Sequence, residues 1–401
     1  MSREKTKRVP KLRFPEFRGA EWVRKKLEDV APLQRGFDLP SDLIRPGNIP
    51  IVYSNGVQKY HEIGMATAPG LVTGRSGTIG KLHFIEHGEY WPHNTSLWVT
   101  DFKSHVPRFV YYLYDSIGMG QFSSGSGVPT LNRNDVHAFS SAVPISPAEQ
   151  QKIADCLTSL DELIAAQGRK VEALKTHKKG LMQQLFPREG ETQPRLRFPE
   201  FRGTEEWVRA ILGDLSKVVR GGSPRPIDGF LTTLADGLNW LKIGDVDKEA
   251  KYVTHTEEKV RPEALSKTRV VSPGDLILSN SMSFGRPYIL QIETCIHDGW
   301  IAITDIDRMA ERDFLYYSIS APNSQSYFID NAAGSGVKNL NADIIKALQV
   351  CFPSSAEQQK IADCLSTLDE LIAAQVRKVE ALKTHKKGLM QQLFPSAEVD
   401  A

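Results

Sequence analysis

Cysteine is scarce in this sequence, and its four cysteines form no metal-binding pattern. Cys156, Cys295, Cys351 and Cys364 show neither a Cys-x-x-Cys pair nor the Cys and His spacing of a zinc site. Isolated cysteines are typical of proteins that fold in a reducing compartment. We therefore expect a cytoplasmic protein without disulfides and without a metal site.

Long apolar runs and a surplus of one charge are also missing. No apolar run approaches the roughly 18–20 residues that span a membrane, and the opening MSREKTKRVPKLRFPEF has no apolar signal-peptide segment. We therefore expect no membrane contact. The 50 Lys and Arg nearly balance the 48 Asp and Glu, for a net charge of +2. Any DNA contact must then come from a local arrangement rather than from bulk charge.

Catalytic fingerprints are missing as well. The sequence has no Gly-x-Ser-x-Gly, no His-Glu-x-x-His and no Asn-Pro-Pro-aromatic motif. The stretch GRSGTIGK (74–81) is not a phosphate loop, because Arg75 stands where glycine is needed and Leu82 where Ser or Thr is needed. His93 and His297 lie in corresponding strand-rich regions, where a single histidine is more often structural than catalytic. We expect a binding protein with no catalytic residue and no cofactor in this chain.

An internal duplication dominates what is present. The segment Ala148–Pro187 returns at Ala356–Pro395 with only three differences, one of which sets Gly168 against Val376. A shorter motif, LRFPEFRG, occurs at 12–19 and 196–203, each time shortly before Trp-Val-Arg. The order of short motif, variable block and long segment therefore occurs twice. A period near 200 residues is too long for a solenoid and indicates two related halves.

Each long segment is predicted to be one helix. Ser146-Pro147-Ala148-Glu149 has the form of a capping box with proline at the first helical position, and each segment ends at Leu-Phe-Pro. About 39 residues give a rod of roughly 58 Å. Gly168 indicates either a bend, a close approach or sequence drift.

Apolar residues recur along both helices at heptad spacing, and Gln167, Lys178, Gln375 and Lys386 interrupt the two series. The helices could pack on their own domains independently. We favour packing on each other, antiparallel, which predicts that Cys156 and Cys364 do not cross-link. The predicted seam comprises Ile153, Leu157, Leu160, Ile164, Val171, Leu174, Ile361, Leu365, Leu368, Ile372, Val379 and Leu382.

The variable blocks combine short apolar runs with turn glycines, which indicates strands, and FVYYLYDSIG (109–118) and DFLYYSISA (313–321) indicate matching short helices. The predicted fold is α/β (α+β): two mixed α/β domains separated by two long antiparallel helices that form a coiled coil, with pseudo-two-fold symmetry. The predicted boundaries are 1–19, an N-terminal segment; 20–147, the first variable domain; 148–193, a helix and linker; 194–355, the second variable domain; and 356–401, a C-terminal helix.

Two glycine- and hydroxyl-rich loops are candidates for contact with a DNA backbone or base edge, with a purely structural turn as the alternative. One is GRSGTIGK, and the other, SNSMSFGR (279–286), follows an apolar strand in the second block. The candidate DNA-binding residues are Ser54, Asn55, Arg75, Ser76, Thr78, Lys81, Asn132, Arg133, Lys242, Ser279, Asn280, Ser281, Ser283, Arg286, Lys338 and Asn339.

Together, the AEQQKIADCL…LDELI helix starts, the GRSGTIGK region, the YSNGV stretch (53–57) and the duplicated order resemble the specificity subunit of a type I restriction–modification system. The resemblance covers almost the whole chain. It implies that each variable block is a target recognition domain that reads one half of a bipartite, asymmetric site in double-stranded DNA. It also implies that the helices set the spacer and that the region of the seam residues docks two methyltransferase subunits.

The resemblance further implies that chemistry belongs to the partners. The methyltransferase subunits would bind S-adenosylmethionine and methylate adenine, and restriction subunits that use ATP and Mg²⁺ would be able to join. The alternative is a coiled-coil structural or interaction protein with no role on DNA.

Overall fold

The chain forms two compact units that each combine a variable block with parts of both long helices. A computed structural model describes residues 9–124, 129–280, 284–332 and 339–395. Unit 1 consists of Met1–Arg169 with Val376–Ala401, and unit 2 consists of Lys170–Gln375. Each unit therefore holds the first part of one long helix and the last part of the other.

Unit 1 is built from short strands and few helices. Its strands are β1 (Trp22–Lys26), β2 (Leu33–Arg35), β3 (Ile49–Tyr53), β4 (Gly56–His61), β5 (Ala66–Thr67), β6 (Gly70–Gly74), β7 (Leu82–Ile85), β8 (Glu89–Pro92), β9 (Ser96–Val99), β10 (Ser123–Ser124), β11 (Thr130–Leu131) and β12 (Ser140–Pro144). Its helices are α1 (Leu27–Val30), α2 (Pro107–Ile117), α3 (Arg133–Ala138) and the first part of α4 (Pro147–Leu185). Short 3-10 turns span Pro15–Phe17, Ser41–Leu43 and Met119–Phe122.

Two four-stranded sheets form the body of unit 1, in the orders β2-β9-β6-β7 and β4-β3-β8-β5, while β1 and β12 form a separate antiparallel ribbon. All five residues of β6 are buried, because β9 and β7 flank it and α2 packs on the same sheet. The hairpin of β6 and β7 confirms that GRSGTIGK is a strand–turn–strand. Helix α2 confirms the predicted helix at FVYYLYDSIG.

Unit 2 repeats this plan with larger main sheets. Its strands are β13 (Val208–Ile211), β14 (Lys217–Arg220), β15 (Leu231–Thr232), β16 (Leu238–Leu241), β17 (Tyr252–Val253), β18 (Glu258–Val260), β19 (Arg269–Val271), β20 (Leu276–Ser279), β21 (Pro287–Leu290), β22 (Thr294–Ile296), β23 (Trp300–Thr304) and β24 (Gln349–Phe352). Its helices are α5 (Leu212–Leu215), α6 (Arg312–Ser320), α7 (Pro322–Asn331), α8 (Ala342–Lys346) and the first part of α9 (Ser355–Leu393). Its 3-10 turns span Pro199–Phe201, Ile227–Gly229, Ile243–Asp245 and Pro262–Ser266.

Two five-stranded sheets, β14-β23-β20-β21-β17 and β15-β18-β16-β22-β19, replace the four-stranded sheets of unit 1, and β13 pairs with β24 as β1 does with β12. Helix α6 packs on β21 and confirms the predicted helix at DFLYYSISA. Both units are therefore mixed α/β, as the strand texture of the sequence predicts.

In unit 1 the two long helices run in opposite directions. Lys386 Nζ on α9 lies 2.6 and 2.8 Å from the carboxylate oxygens of Asp161 on α4. Further along α9, Leu393 packs in the same core as Ile153 and Leu157, which precede Asp161 on α4. Residues further along α9 therefore contact residues nearer the start of α4, so the two helices are antiparallel.

Unit 2 shows the same antiparallel arrangement. Lys178 Nζ on α4 lies 2.5 Å from Asp369 Oδ1 on α9. Further along α4, Leu185 shares a core with Ile361 and Leu365 of α9. The prediction that the helices pack on each other is confirmed, and the start of each helix also packs on its own domain.

The predicted seam agrees with the burial of the helices, since every one of its twelve residues is buried or half-buried. Gly168 lies inside α4, and a Cβ added there would meet no neighbouring atom within 4 Å. The glycine therefore does not serve a close approach. The predicted capping box needs a correction: the Glu149 N–H donates to Ser146 Oγ at 3.5 Å, but its carboxylate accepts from Arg13 and Trp22 instead of the Ser146 backbone.

Candidate nucleic-acid interface

In unit 1 the turn between β6 and β7 is a closed eight-residue loop. The Gly74 N–H donates to the carbonyl of Lys81, and the Gly80 N–H donates to the carbonyl of Gly74, both at 3.0 Å. Gly80 has φ +74°, and a side chain there would collide with the backbone of Gly120. The loop thus has a fixed shape, with Thr78 and Lys81 exposed.

Neighbouring turns hold this loop in place. The backbone N–H groups of Arg75 and Ser76 both donate to the carbonyl of Thr95, at 2.9 and 3.1 Å. Lys81 Nζ donates to the carbonyl of Asn55 at 3.4 Å. The β3–β4 hairpin approaches from the other side, where the ring Nε2 of His83 lies 3.2 Å from the carbonyl of Ser54. The fold thereby gathers six predicted residues at one place: Ser54, Asn55, Arg75, Ser76, Thr78 and Lys81.

Asn132 and Arg133 lie next to this cluster at the start of α3. The carbonyl of Arg75 accepts from the Leu131 N–H at 2.8 Å, which ties the chain just before α3 to the loop. Asn132 is the N-cap of α3, and its side-chain oxygen accepts from the Asn134 N–H at 3.0 Å. Arg133 is exposed on the first turn of the helix. Asn132 thus already has a structural function.

Unit 2 repeats the backbone hydrogen bonds that close this loop, with different residues. The Ser279 N–H donates to the carbonyl of Arg286 at 3.2 Å, and the Gly285 N–H donates to the carbonyl of Ser279 at 3.0 Å. The carbonyl of Asn280 accepts from the Leu340 N–H at 3.0 Å, as that of Arg75 does from Leu131. By this pattern of hydrogen bonds Arg75 corresponds to Asn280, and Lys81 corresponds to Arg286.

Burial changes the interpretation of two predicted residues in unit 2. Ser279 is 0% exposed and Asn280 is 2% exposed. Asn280 Nδ2 donates to the carbonyl of Asp298 at 2.8 Å. Both side chains are buried at the end of β20, so they are less accessible to a ligand than the sequence predicts. The sequence predicts that polar residues at the end of an apolar strand are exposed, but these two are buried.

Carboxylates accompany two predicted cations of unit 2, Lys242 and Arg286. Lys242 Nζ lies 2.8 Å from Glu258 and 3.8 Å from Glu257, and Arg286 lies 3.6 Å from Glu249. Asn339 is exposed. The predicted residues Ser281, Ser283 and Lys338 lie outside the described residues.

Comparison with known proteins assigns the family. The model of the type I restriction modification DNA specificity domain matches the chain twice, over residues 19–176 and 204–384. The chain belongs to this family. It is a specificity subunit of a type I restriction–modification system, with a role in DNA recognition, and nothing in the comparisons supports the alternative of a structural coiled coil.

Relatives of this specificity subunit occur in Methanocaldococcus jannaschii. The MjaX type I restriction enzyme specificity subunit is 24% identical over 324 residues, which cover 79% of this chain and 72% of the relative. The MjaVIII specificity subunit is 23% identical over 205 residues, or 49% of this chain and 44% of the relative.

Solved structures support the fold. The crystal structure of a type I restriction–modification S subunit from M. genitalium has a TM-score of 0.63 at 15% identity, and the match covers 97% of this chain and all of the other. A chain from a study of complex assembly and conformational transition of a type I system has a TM-score of 0.58 at 15% identity and covers 93% of this chain and 97% of the other.

Two histidines of the specificity subunit form contacts next to the loops 74–81 and 279–286. His93 Nδ1 lies 3.1 Å from Thr95 Oγ1, and its ring stacks 4.2 Å from that of Tyr53. The Gly299 N–H donates to His297 Nδ1 at 2.7 Å. Burial lowers the pKa of both rings, which keeps them neutral acceptors. These contacts fit the predicted structural role of the two histidines.

Among the described residues no group of His, Cys, Asp or Glu is arranged to hold a metal ion. None of the helices in these described residues has an apolar stretch long enough to cross a bilayer.

Four buried residues join the long helices to the domains, a role that the sequence did not predict. Glu149, Gln150, Glu357 and Gln358 are at most 1% exposed. Gln150 Oε1 accepts from the backbone N–H at the start of α2, and Gln358 Oε1 from that at the start of α6. The repeated Ala-Glu-Gln-Gln was the available signal, since two adjacent polar residues repeated at a helix start indicate specific partners rather than a solvated face.

Proposed function

We propose that this specificity subunit reads a bipartite, asymmetric sequence in double-stranded DNA, one half with domain 20–147 and the other with domain 194–355. The observation that carries this proposal is one pattern of loop-closing backbone hydrogen bonds that occurs twice, with different residues at corresponding positions. Arg75 stands where Asn280 stands, and the exposed Lys81 where Arg286 stands. The same backbone arrangement with different side chains suits two domains that recognise two different half-sites.

Within domain 20–147 we propose the loop 74–81 and its neighbours as the DNA contact. Lys81 is exposed and suits a phosphate, while Arg75 and Ser76 suit base edges or the backbone. Asn55 and Thr78 are exposed beside them. In domain 194–355, Arg286, Lys242 and Asn339 are the corresponding candidates, and the two cations must exchange a carboxylate partner for phosphate.

The long helices, 148–193 with its linker and 356–401, are proposed to set the distance between the half-sites and to dock two methyltransferase subunits. Both helices span 39 residues and are nearly identical, so they offer the same docking surface twice. A rod of roughly 58 Å is long enough to separate two major-groove faces about 34 Å apart.

Catalysis is assigned to the partners in this proposal. The methyltransferase subunits would bind S-adenosylmethionine and methylate adenine, and restriction subunits would supply ATP- and Mg²⁺-dependent cleavage. The specificity subunit itself would be non-catalytic and act in the cytoplasm.

Deletion of the gene tests the proposal. We expect one asymmetric, bipartite class of methylated adenines to disappear from the host genome and to return when the gene is restored. A complementary measurement is a gel shift on a duplex with that sequence, which we expect only when the methyltransferase subunit is present. Unchanged adenine methylation after deletion would contradict the proposal.

A further inference from the structure

A lysine interrupts the apolar seam of each long helix, and each lysine reaches a carboxylate of the other helix. In unit 1, Lys386 contacts Asp161, and the Tyr112 hydroxyl of α2 donates to Asp161 Oδ2 at 2.8 Å. The Lys386 ammonium also lies 5.2 Å from the centre of the Tyr112 ring. One carboxylate thus joins both long helices and a helix of the recognition domain.

Unit 2 contains the same junction. Lys178 contacts Asp369 at 2.5 Å, the Tyr317 hydroxyl of α6 donates to Asp369 Oδ2 at 2.7 Å, and Lys178 Nζ lies 5.2 Å from the centre of the Tyr317 ring. Here Lys251 adds a further cation, which donates to Ser366 Oγ at 2.8 Å.

The junctions are partly shielded from water, which makes them sensitive to geometry. The side chain of Lys386 is 15% exposed and that of Lys178 is 20% exposed. A shift of one helix by one residue moves its side chains by about 1.5 Å along the axis and about 100° around it, which removes such a contact. Apolar seam residues tolerate small shifts better, and polar residues in a seam are known to specify register.

We propose that Tyr112–Asp161–Lys386 and Tyr317–Asp369–Lys178 are positioning junctions that fix each recognition domain on the helix pair and thereby fix the number of base pairs between the half-sites. This inference rests on the proposed function. The junctions touch no DNA in it, so they set the allowed spacer and leave the bases of each half-site unchanged.

The experiment uses the full chain assembled with its methyltransferase subunit and a series of duplexes that carry both mapped half-sites with the native spacer or one base pair more or less. Lys386→Met and Tyr112→Phe test unit 1, and Lys178→Met tests unit 2. Lys383→Met and Lys175→Met are matched controls, because these lysines are exposed and pair with Glu380 and Glu172 of their own helices. Lys386→Arg is the conservative variant that retains the cation.

We expect Lys386→Met to raise the ratio of methylation on altered spacers to methylation on the native spacer by about tenfold, which corresponds to about 1.4 kcal/mol of lost discrimination. Tyr112→Phe, which removes only a hydroxyl, is expected to change the ratio in the same direction by less, and Lys386→Arg to restore it. The half-site bases should stay the same in every variant.

Equal spacer ratios in wild type, Lys386→Met, Tyr112→Phe and Lys178→Met would overturn the inference while leaving the proposed function intact. If the wild-type complex itself shows no preference for any sequence or spacer, the proposed function fails instead. Should Lys386→Met fail to fold, as judged by thermal unfolding, Tyr112→Phe decides the inference for unit 1.

Discussion

The Arg13 guanidinium donates two hydrogen bonds to the Glu149 carboxylate, at 2.9 and 2.8 Å, across 136 residues of sequence. The Trp22 indole donates to the same carboxylate at 3.0 Å. In unit 2, Arg197 holds Glu357 in the same way, at 2.9 and 2.6 Å. The repeated LRFPEFRG motif, whose role the sequence leaves open, thus fastens the start of each long helix.

The same motif also reaches the other long helix within each unit. The Leu12 N–H donates to the carbonyl of Gln392 near the end of α9, and the Leu196 N–H donates to that of Gln184 near the end of α4, both at 2.9 Å. Each motif therefore closes a junction between the start of one helix and the end of the other.

Removal of the Glu149 charge should destabilise the protein strongly. Glu149→Gln leaves the Arg13 guanidinium, whose side chain is only 9% exposed, without its counter-charge. Breaking a buried pair from one side costs about 3 kcal/mol or more, which urea unfolding would detect. Glu16→Gln is the matched control, since Glu16 forms an exposed pair with Lys152, and we expect a change below about 1 kcal/mol. Equal effects of the two substitutions would contradict the assigned role of the buried pair.

The two tryptophans of the repeated Trp-Val-Arg triplet should differ in importance. Trp22 Nε1 donates to Glu149, whereas Trp207 Nε1 is buried without a hydrogen-bond partner in the described part of the chain. Replacement by Phe removes similar volume at both positions but a hydrogen bond to a charged group only at Trp22. We expect Trp22→Phe to cost about 1.5 kcal/mol more than Trp207→Phe. If urea unfolding shows a larger loss of stability for Trp207→Phe than for Trp22→Phe, the proposed contribution of the Trp22–Glu149 hydrogen bond is wrong.

Protonation of buried histidines should weaken the fold at low pH. Burial, and then the charge of Lys25, lower the pKa of His105 from its ordinary 6.5, and His105 Nδ1 lies 2.9 Å from Gln150 Nε2. The unfolded chain takes up this proton at higher pH than the folded chain. The stability that neutral His105 contributes is therefore complete above about pH 6.5 and is lost as the pH falls through the folded pKa.

We expect His105→Gln to reduce the decline of the unfolding free energy between neutral and mildly acidic pH, measured by urea unfolding at several pH values. His87→Gln serves as the control, because the His87 side chain is 92% exposed. An unchanged pH profile in His105→Gln would show that this ring does not carry the dependence.

The two cations of the first loop should affect DNA binding differently. If Lys81 contacts a phosphate as proposed, Lys81→Ala should weaken binding of the assembled complex on all sequences and reduce the salt slope by about 1. Arg75→Ala should cost about 1–3 kcal/mol and relax the preference at one base position. Competition gel shifts at several salt concentrations measure both effects, with Lys103→Ala as a control that pairs with Asp101. If Arg75→Ala leaves every base preference intact, Arg75 makes no base contact.

The long helices and their seam were predictable because local signals agree along them. A proline after the cap at Ser146, a stop at Leu-Phe-Pro and heptad spacing all favour one helix of the observed 39 residues. The two candidate loops were also recognisable, since glycines after an apolar run predict a turn between strands.

Contacts between residues distant in sequence were not predictable. Nothing near Glu149 indicates that Arg13 will bind it, so the capping box was the better local interpretation, and the tertiary pair displaced it. Burial of Asn280 likewise depends on Asp298, which approaches only once the sheet has formed. Local sequence predicts turns and helices, whereas the pairs Arg13–Glu149 and Asn280–Asp298 form only when distant segments pack together.

The central claim is that the two variable domains read separate half-sites, and exchange of block 20–147 for that of another specificity subunit tests it most directly. Methylated adenines would be mapped by single-molecule sequencing in hosts that carry the original or the exchanged chain. We predict that one half-site changes while the other half-site remains as it was. A change in both half-sites, or in neither, would contradict the claim.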